Sequence, residues 1–404
     1  MNIPIIRIPF DKGDKEFIHS GIEDVLNSGH LTMGKYTKEF EGLMCEMTGA
    51  KHSIAMANCT CALETIIRAL EIEGKSIIVP TNTFLATALG VLHSGNKVIF
   101  VDSKPDTFSI DPDDLERRIT EDTAAVILVH IGGIITADYE RIQSFCDEKG
   151  ILLIEDCAHA HGCSIDGRQV GTLGVAGSFS FFPTKVLVTG EGGMITTNNT
   201  DLYKKMMMIR NQGKNPERGN QISELGGNYR ISEFTAVLGV QQVRNADEII
   251  KKRQAIAGRY DQLLKGAGGI KLVSIPDNIK SSYYKYLLYL DDGLDRNKIK
   301  QLLKEEYSVS LTGEVYASLC HSEPIWEKYT YSGKLKNAKG EDCSLEPSND
   351  GEIDNNQTGF PGSEYISKHH ICLPLYPDLT DEEIDYVVGS LKEVITSELK
   401  ELNR

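Results

Sequence analysis

What most limits the fold open to this chain is a series of short, almost uninterrupted apolar runs separated by helical patterns. HSIAMA (52–57), SIIVP (76–80), KVIFVD (97–102), AAVILVHI (124–131) and ILLIED (151–156) carry hardly a polar residue before their ends. A strand that is apolar on both faces has to be covered on both faces. That condition belongs to a parallel sheet between helices rather than to an antiparallel sheet with one wet face. The stretches in between agree. TCALETIIRALEIEG, TFLATALGVLHSG and DYERIQSFCDEKG have helical spacing, and SIDPDDLERRI offers Asp111 as an N-cap with Pro112 at the first helical position. The expected class is α/β with a mostly parallel sheet.

Past about residue 195 the alternation stops. The stretch 232–266 reads as a long helical pattern able to connect two domains, followed by a strand pattern in SSYYKYLLYLDD and a helix in RNKIKQLLKEEY. A capping box of Thr380 and Glu383 opens a terminal helix. The division expected is an N-terminal segment with a large domain over 1–250 and a small domain over 251–404. Residues 334–359 are polar and without period, which reads as a long loop.

Composition removes several function classes. A formal net charge of −15 over 404 residues disfavours a nucleic-acid partner. Nine cysteines, an odd number without framework spacing, read as reduced thiols. The N-terminus has no charged stretch followed by a long apolar one, and no run approaches the roughly 20 apolar residues of a membrane helix. The expectation is a soluble, cytoplasmic protein.

Open parallel sheets place their ligands at the carboxyl ends of the strands. ILLIEDCAHAHG ends a buried strand in Glu155 and Asp156, with His159 and His161 just beyond. Taken alone, Asp156 reads as a turn cap and the histidines as satisfied loop residues. A metal reading of the alternating Cys157, His159, His161 and Cys163 meets a geometric objection, because an extended row at ~3.3 Å per residue separates its ends by roughly 20 Å. One tetrahedral zinc cannot collect that row without a sharp turn, so no metal is expected. ANCTCALETIIRALE (57–71) turns a strand into a helix through small and hydroxyl residues, which suits a phosphate but also suits an ordinary cap. The nucleotide-binding glycine fingerprints are missing. GSFSFFPTKVLVTGEGG (177–193) sets Lys185 in mainly apolar surroundings, where an ammonium is costly unless it is paired, neutralised or chemically used. A strand-end aspartate, a helix-start phosphate cradle and a lysine in an apolar setting are, together, the parts that pyridoxal phosphate needs. The lysine forms the Schiff base and the aspartate pairs with the pyridine nitrogen. An apolar setting also favours the neutral amine.

The chain then resembles a known family, the DegT/StrS sugar aminotransferases of the aspartate aminotransferase fold (fold type I). The resemblance rests on NCTCAL (58–63), VPTNTFLATA (79–88), VDSKPDTFSIDP (101–112), IEDCAHAHG (154–162), SFSFFPTKVLVTGEGG (178–193), GGNYRISEFTAVLG (226–239) and LPLYPDLTDEE (373–383). It implies a large domain with a seven-stranded-type sheet and a smaller α+β C-terminal domain. It implies Lys185 as the Schiff-base lysine and proton shuttle, Asp156 on the ring nitrogen, and His159 near the ring's phenolic oxygen. Phe84 would stack on the ring, while Ser180, Thr60 and the backbone at Cys61 would hold the phosphate. Asn228 would reach a phosphate in the neighbouring subunit of a homodimer with shared active sites, and Arg230 is a candidate for a substrate carboxylate. The activity implied is transfer of an amino group from L-glutamate or glutamine to a keto-sugar, nucleotide-linked and ketonic at C3 or C4, through a pyridoxamine phosphate form. Some positions depart from the pattern. Cys59 and Cys61 replace smaller residues, Lys285 stands where a histidine is frequent, and the polar loop is longer. Three alternatives stay open: a keto-cyclitol acceptor, a non-catalytic sensor, and a sugar dehydratase, though dehydratase relatives carry histidine in place of the lysine.

Overall fold

The apolar runs become strands, and two further strands that carry weaker patterns complete their sheet. The structure, a computed structural model, describes residues 1–327 and 359–402, so all but the last residue of the polar stretch 334–359 lies outside the described residues. Strands β1 (His52–Met56), β2 (Ser76–Pro80), β3 (Lys97–Val101), β4 (Thr123–Val129), β5 (Leu152–Asp156), β6 (Ala176–Ser180) and β7 (Gly193–Thr197) form one sheet in the order β1-β7-β6-β5-β4-β2-β3. From β6 to β3 all pairings are parallel. β7 runs antiparallel to both β1 and β6. The strand interiors are buried, and each fully buried Val, Ile or Leu contributes about 1.5–3 kcal/mol by leaving water.

The helices that accompany this sheet are α1 (Lys12–Ser28), α2 (Lys35–Thr48), α3 (Cys59–Ala69), α4 (Ala86–His93), α5 (Pro112–Arg118), α6 (Tyr139–Lys149), α7 (Thr200–Arg210), α8 (Glu233–Arg244) and α9 (Ala246–Leu264). Their starts follow local chemistry. Asp11 and Asp14 close a reciprocal capping box on α1, and Asp111 caps α5 with Pro112 in its first turn. The helical pattern over 232–266 is two helices that meet at Asn245, where φ −92° and ψ 3° interrupt the regular turn.

The rest of the chain builds a second core. Strands β8 (Ile270–Leu272), β9 (Tyr286–Leu290) and β10 (His370–Leu373) pair antiparallel in that order. Helices α10 (Arg296–Tyr307) and α12 (Asp381–Leu402) complete it, while α11 (Pro361–His369) packs Ile366 and Tyr365 into the core of the large sheet. Thr380 and Glu383 make the expected capping box, with Glu383 N–H donating to Thr380 Oγ1 at 3.2 Å and Thr380 N–H to Glu383 Oε2 at 3.1 Å. Tyr260, Leu288, Ile299, Ile371 and Leu391 belong to this core, and so does Ile3 from the N-terminal segment. No described helix is long and apolar enough to cross a membrane. Register on the large sheet aligns Val129, Asp156 and Ser178, so the ends of β4, β5 and β6 open on one edge.

Candidate active site

Asp156 ends β5 as a buried carboxylate with two fixed donors. Ala158 N–H donates to Oδ1 at 3.0 Å and Thr87 Oγ1 to Oδ2 at 2.8 Å. Burial pushes the Asp156 carboxyl up from its ordinary value, and the Ala158 amide, the Thr87 hydroxyl and nearby Lys185 act against that rise. Lys185 sits in the turn after β6, where its own N–H bonds Phe182 O at 2.9 Å. Although it keeps some access to solvent, the protein around it lowers its pKa to about 8, chiefly by desolvation. Asp156 and Cys59 pull that value back up, and Lys285 pushes it further down. The Lys185 ammonium lies 5.0 Å from the centre of the Tyr284 ring.

His159 stacks on the same Tyr284 ring, with centroids 4.1 Å apart and planes 22° from parallel. Its Nδ1 accepts Gly132 N–H at 3.3 Å, which assigns the proton of the neutral ring to Nε2, 3.1 Å from the Tyr316 hydroxyl. Burial first, then Lys185, Lys285 and His161, hold its pKa well below the ordinary histidine value. Gly132 has φ +68°, and a Cβ there would lie 2.7 Å from Leu287 Cδ1, so only glycine brings this amide to His159 without strain.

Thr60 and Cys61 lie in the first turn of α3. Asn58 caps that turn, and its side chain takes the Cys61 N–H at 2.9 Å. Among the described residues the N–H groups of Cys59 and Thr60 meet no acceptor, and they lie at the positive end of the helix dipole. A Cβ on Gly193 would lie 2.4 Å from the Asn58 carbonyl, so β7 and the helix start touch backbone to backbone. Ser180 is buried at the end of β6. Phe84, 62% exposed between β2 and α4, presents its ring 6.0 Å from that of Tyr316. Asn228 is exposed, and Arg230 donates from Nη1 to Asn211 Oδ1 at 2.6 Å. Asn228 forms a β-bridge with Asn211, and the carbonyl of Tyr229, between Asn228 and Arg230 in the chain, accepts Ala57 N–H at 2.8 Å next to the start of α3.

The alternating row Cys157, His159, His161 and Cys163 does not gather. Both nitrogens of buried His161 lack a partner and its ring meets Phe179 and Phe181, while Cys163 Sγ contacts Gly133 O and Ser282. Among the described residues the close set of possible ligands is His130, Glu155 and Cys157. Glu155 there already accepts the N–H groups of Gly171, Leu173 and Gly174 and faces His130 Nε2, which makes it a loop anchor. A cleft of about 260 Å³ has Lys285 on its wall but none of Asp156, His159 or Lys185.

Thr87, Tyr284, Tyr316 and Gly132 are site residues that the sequence reading does not single out. TFLATA contains Thr87 and SYYKY contains Tyr284, but Tyr316 sits in an irregular stretch with no pattern to mark it. The donor set suits pyridoxal phosphate: a buried carboxylate for a ring nitrogen, an amine held toward its neutral form, and free first-turn amides for a phosphate.

Comparison with known proteins agrees. The model of the DegT/DnrJ/EryC1/StrS aminotransferase family matches residues 12–346 and 340–392. GDP-perosamine synthase from Caulobacter vibrioides is 31% identical over 366 residues, covering 90% of this chain and 91% of that one. A pleiotropic regulatory protein from Geobacillus stearothermophilus is 31% identical over 396 residues, covering 97% and 98%. Among solved structures, Spr1654 from Streptococcus pneumoniae in its PMP form aligns over 100% of both chains with a TM-score of 0.86 and 26% identity. The chain belongs to the DegT/DnrJ/EryC1/StrS family of sugar aminotransferases and is a pyridoxal phosphate-dependent transaminase.

Proposed function

We propose that the protein moves an amino group from L-glutamate, or glutamine, to a nucleotide-linked keto-sugar with its ketone at C3 or C4, in the cytoplasm. The observation that carries this reading is Lys185. Its amine has a pKa lowered to about 8 and stands near the buried Asp156 carboxylate, in a fold whose relatives include a GDP-sugar synthase. Bound pyridoxal phosphate would supply an aldehyde that takes up the amino group and a protonated ring that accepts an electron pair. Lys185 Nζ would hold the cofactor covalently, remove the α-proton of the donor and return a proton on the acceptor side. Asp156 would keep the ring nitrogen protonated, and His159, neutral, would sit by the ring's phenolic oxygen. Phe84 would cover the ring face. Ser180, Thr60 and the first-turn amides of α3 would hold the phosphate, with Asn228 of a second copy completing it in a homodimer. Arg230 would take a donor carboxylate.

The test is the visible spectrum of cofactor-loaded wild type and Lys185→Ala, before and after L-glutamate. The expected outcome is a band of lysine-bound cofactor in wild type that glutamate bleaches with release of 2-oxoglutarate, and no such band in the variant. A wild-type band indifferent to both glutamate and glutamine would sink the donor assignment. Screening GDP- and UDP-linked 4-keto and 3-keto sugars against keto-cyclitols then decides the acceptor.

A further inference from the structure

Beyond the residues assigned so far, a chain of two hydroxyls leads into Asp156. Thr83 Oγ1 and Thr87 Oγ1 are 2.9 Å apart, and Thr87 Oγ1 is 2.8 Å from Asp156 Oδ2. An ionised carboxylate only accepts, so the single hydroxyl proton of Thr87 goes to Asp156. Thr87 then accepts from Thr83, and the direction of the chain is settled. The other oxygen, Oδ1, is held by Ala158 N–H at 3.0 Å. Thr83, Thr87 and Asp156 are 3%, 1% and 5% exposed, so no bulk water stands ready to replace either hydroxyl.

We propose that Thr83 and Thr87 form a relay fixing the orientation and charge of the Asp156 carboxylate, which makes Thr87 a positioning residue for the ring-nitrogen contact. This inference rests on Asp156 holding that nitrogen, as proposed above. Burial alone drives Asp156 toward its neutral form, and the Thr87 hydroxyl is one of the groups that oppose it. A neutral aspartic acid would offer a proton instead of holding one on the ring. The same turn also presents Phe84, because Thr87 N–H bonds Phe84 O at 3.1 Å. The relay and the proposed ring-stacking residue are therefore built by one segment that runs from the end of β2 into the first turn of α4.

The test uses full-length wild type with Thr87→Val, Thr87→Ser, Thr83→Val and Asp156→Asn. Two readouts are needed: the dissociation constant for pyridoxal phosphate, and the 15N shift of ring-labelled pyridoxal phosphate, which reports the proton on the ring nitrogen. A hydrogen bond to a charged group corresponds to a ~10- to 100-fold effect. Thr87→Val should therefore weaken binding by about tenfold or more and move the 15N shift toward the unprotonated ring. Thr87→Ser should stay close to wild type in both, and Thr83→Val should move both in the same direction by less. Apo melting temperatures show which variants fold; if Thr87→Val does not, the direction seen in Thr83→Val decides. A wild-type constant and shift in Thr87→Val, with Asp156→Asn impaired, overturns the relay alone. Equal losses in the serine and valine variants overturn it as well, since they point to packing. Wild-type behaviour in Asp156→Asn removes the ring-nitrogen reading and the relay together.

Discussion

In its proposed role Lys185 has to act as a free amine, and its surroundings favour that state. Desolvation lowers its pKa to about 8, Asp156 and Cys59 oppose the shift, and Lys285 adds to it, its ammonium 5.1 Å from the centre of the Tyr284 ring. Below about pH 8 the ammonium form dominates and above it the amine does. The rate of cofactor uptake by apo-protein should therefore rise roughly tenfold per pH unit and level off near 8, read as growth of the visible band. Lys285→Gln should carry the bend upward by less than about one unit, because Lys285 is the smallest of the influences on Lys185. A bend at the ordinary lysine value would show that desolvation does not set this amine. Lys185 and Asp156 are legible in the sequence because each breaks an apolar run, and a charge in such a place asks for a reason. Thr87 and Tyr316 are not legible. Their partners Asp156 and His159 lie 69 and 157 positions away, and a lone hydroxyl has no local signature of such a contact.

At the scale of elements, the site depends on how closely α3 is brought to the sheet. Asn58 has φ −164° and ψ 172°, caps the helix through Cys61 N–H, and has its carbonyl against Gly193. A methyl group on Gly193 has nowhere to go, because its nearest neighbours are backbone atoms of Asn58 and Cys59. Gly193→Ala should cost about 1–3 kcal/mol of stability and loosen cofactor binding by displacing the first turn of α3. Gly258 in α9 is the control: beyond its own helix turn, nothing lies within 4 Å of the place a Cβ would occupy, and Gly258→Ala should be neutral or stabilising by about 0.5–1 kcal/mol. Chemical denaturation and cofactor titration on the two variants separate these outcomes, and equal effects would mean that the backbone approach is unimportant. The parallel strands and the capped helices are legible because their signals are local: long apolar runs, Asp111 with Pro112, Thr380 with Glu383. β6 and β7 are harder to read, since GSFS and GGMITT are short and rich in glycine and hydroxyls. The insertion of β7 between β1 and β6 is a matter of pairing partners, which no single strand encodes. The break at Asn245 escapes a periodicity reading because α8 and α9 continue the same helical spacing on either side of it.

Over the whole molecule, distant segments are tied together by contacts that cross most of the chain. Asp102, just after β3, accepts the N–H groups of Gly362 at 2.9 Å and Ser363 at 2.8 Å, and so caps α11 from 260 residues away. Such a cap is invisible to sequence reading, which looks for a capping residue next to its helix. The surface raises the question of a second copy. Leu31, Phe84, Phe182, Ile222 and Leu225 are between 45% and 76% exposed, and these apolar side chains come from segments that also carry or adjoin the proposed site residues Phe84, Lys185 and Asn228. The proposed homodimer would cover apolar surface of this kind and bring Asn228 of one copy to the phosphate of the other. That arrangement makes a prediction that a self-contained site does not. Lys185→Ala and Asn228→Ala each impair every site of their own homodimer. In a mixed dimer with shared sites, both lesions fall on one site or are divided between the two, depending on which copy supplies Asn228. If it comes from the partner, the site built on the Asn228→Ala chain's own Lys185 receives an intact Asn228 from the Lys185→Ala chain and is fully restored. Mixing equal amounts of the two inactive proteins under exchange should then recover about a quarter of wild-type turnover, since half of the dimers are mixed and half of their sites are whole. If Asn228 serves its own chain, the mixed dimer holds one lesion in each site and no activity returns, so the assay distinguishes a shared site from a merely adjacent one.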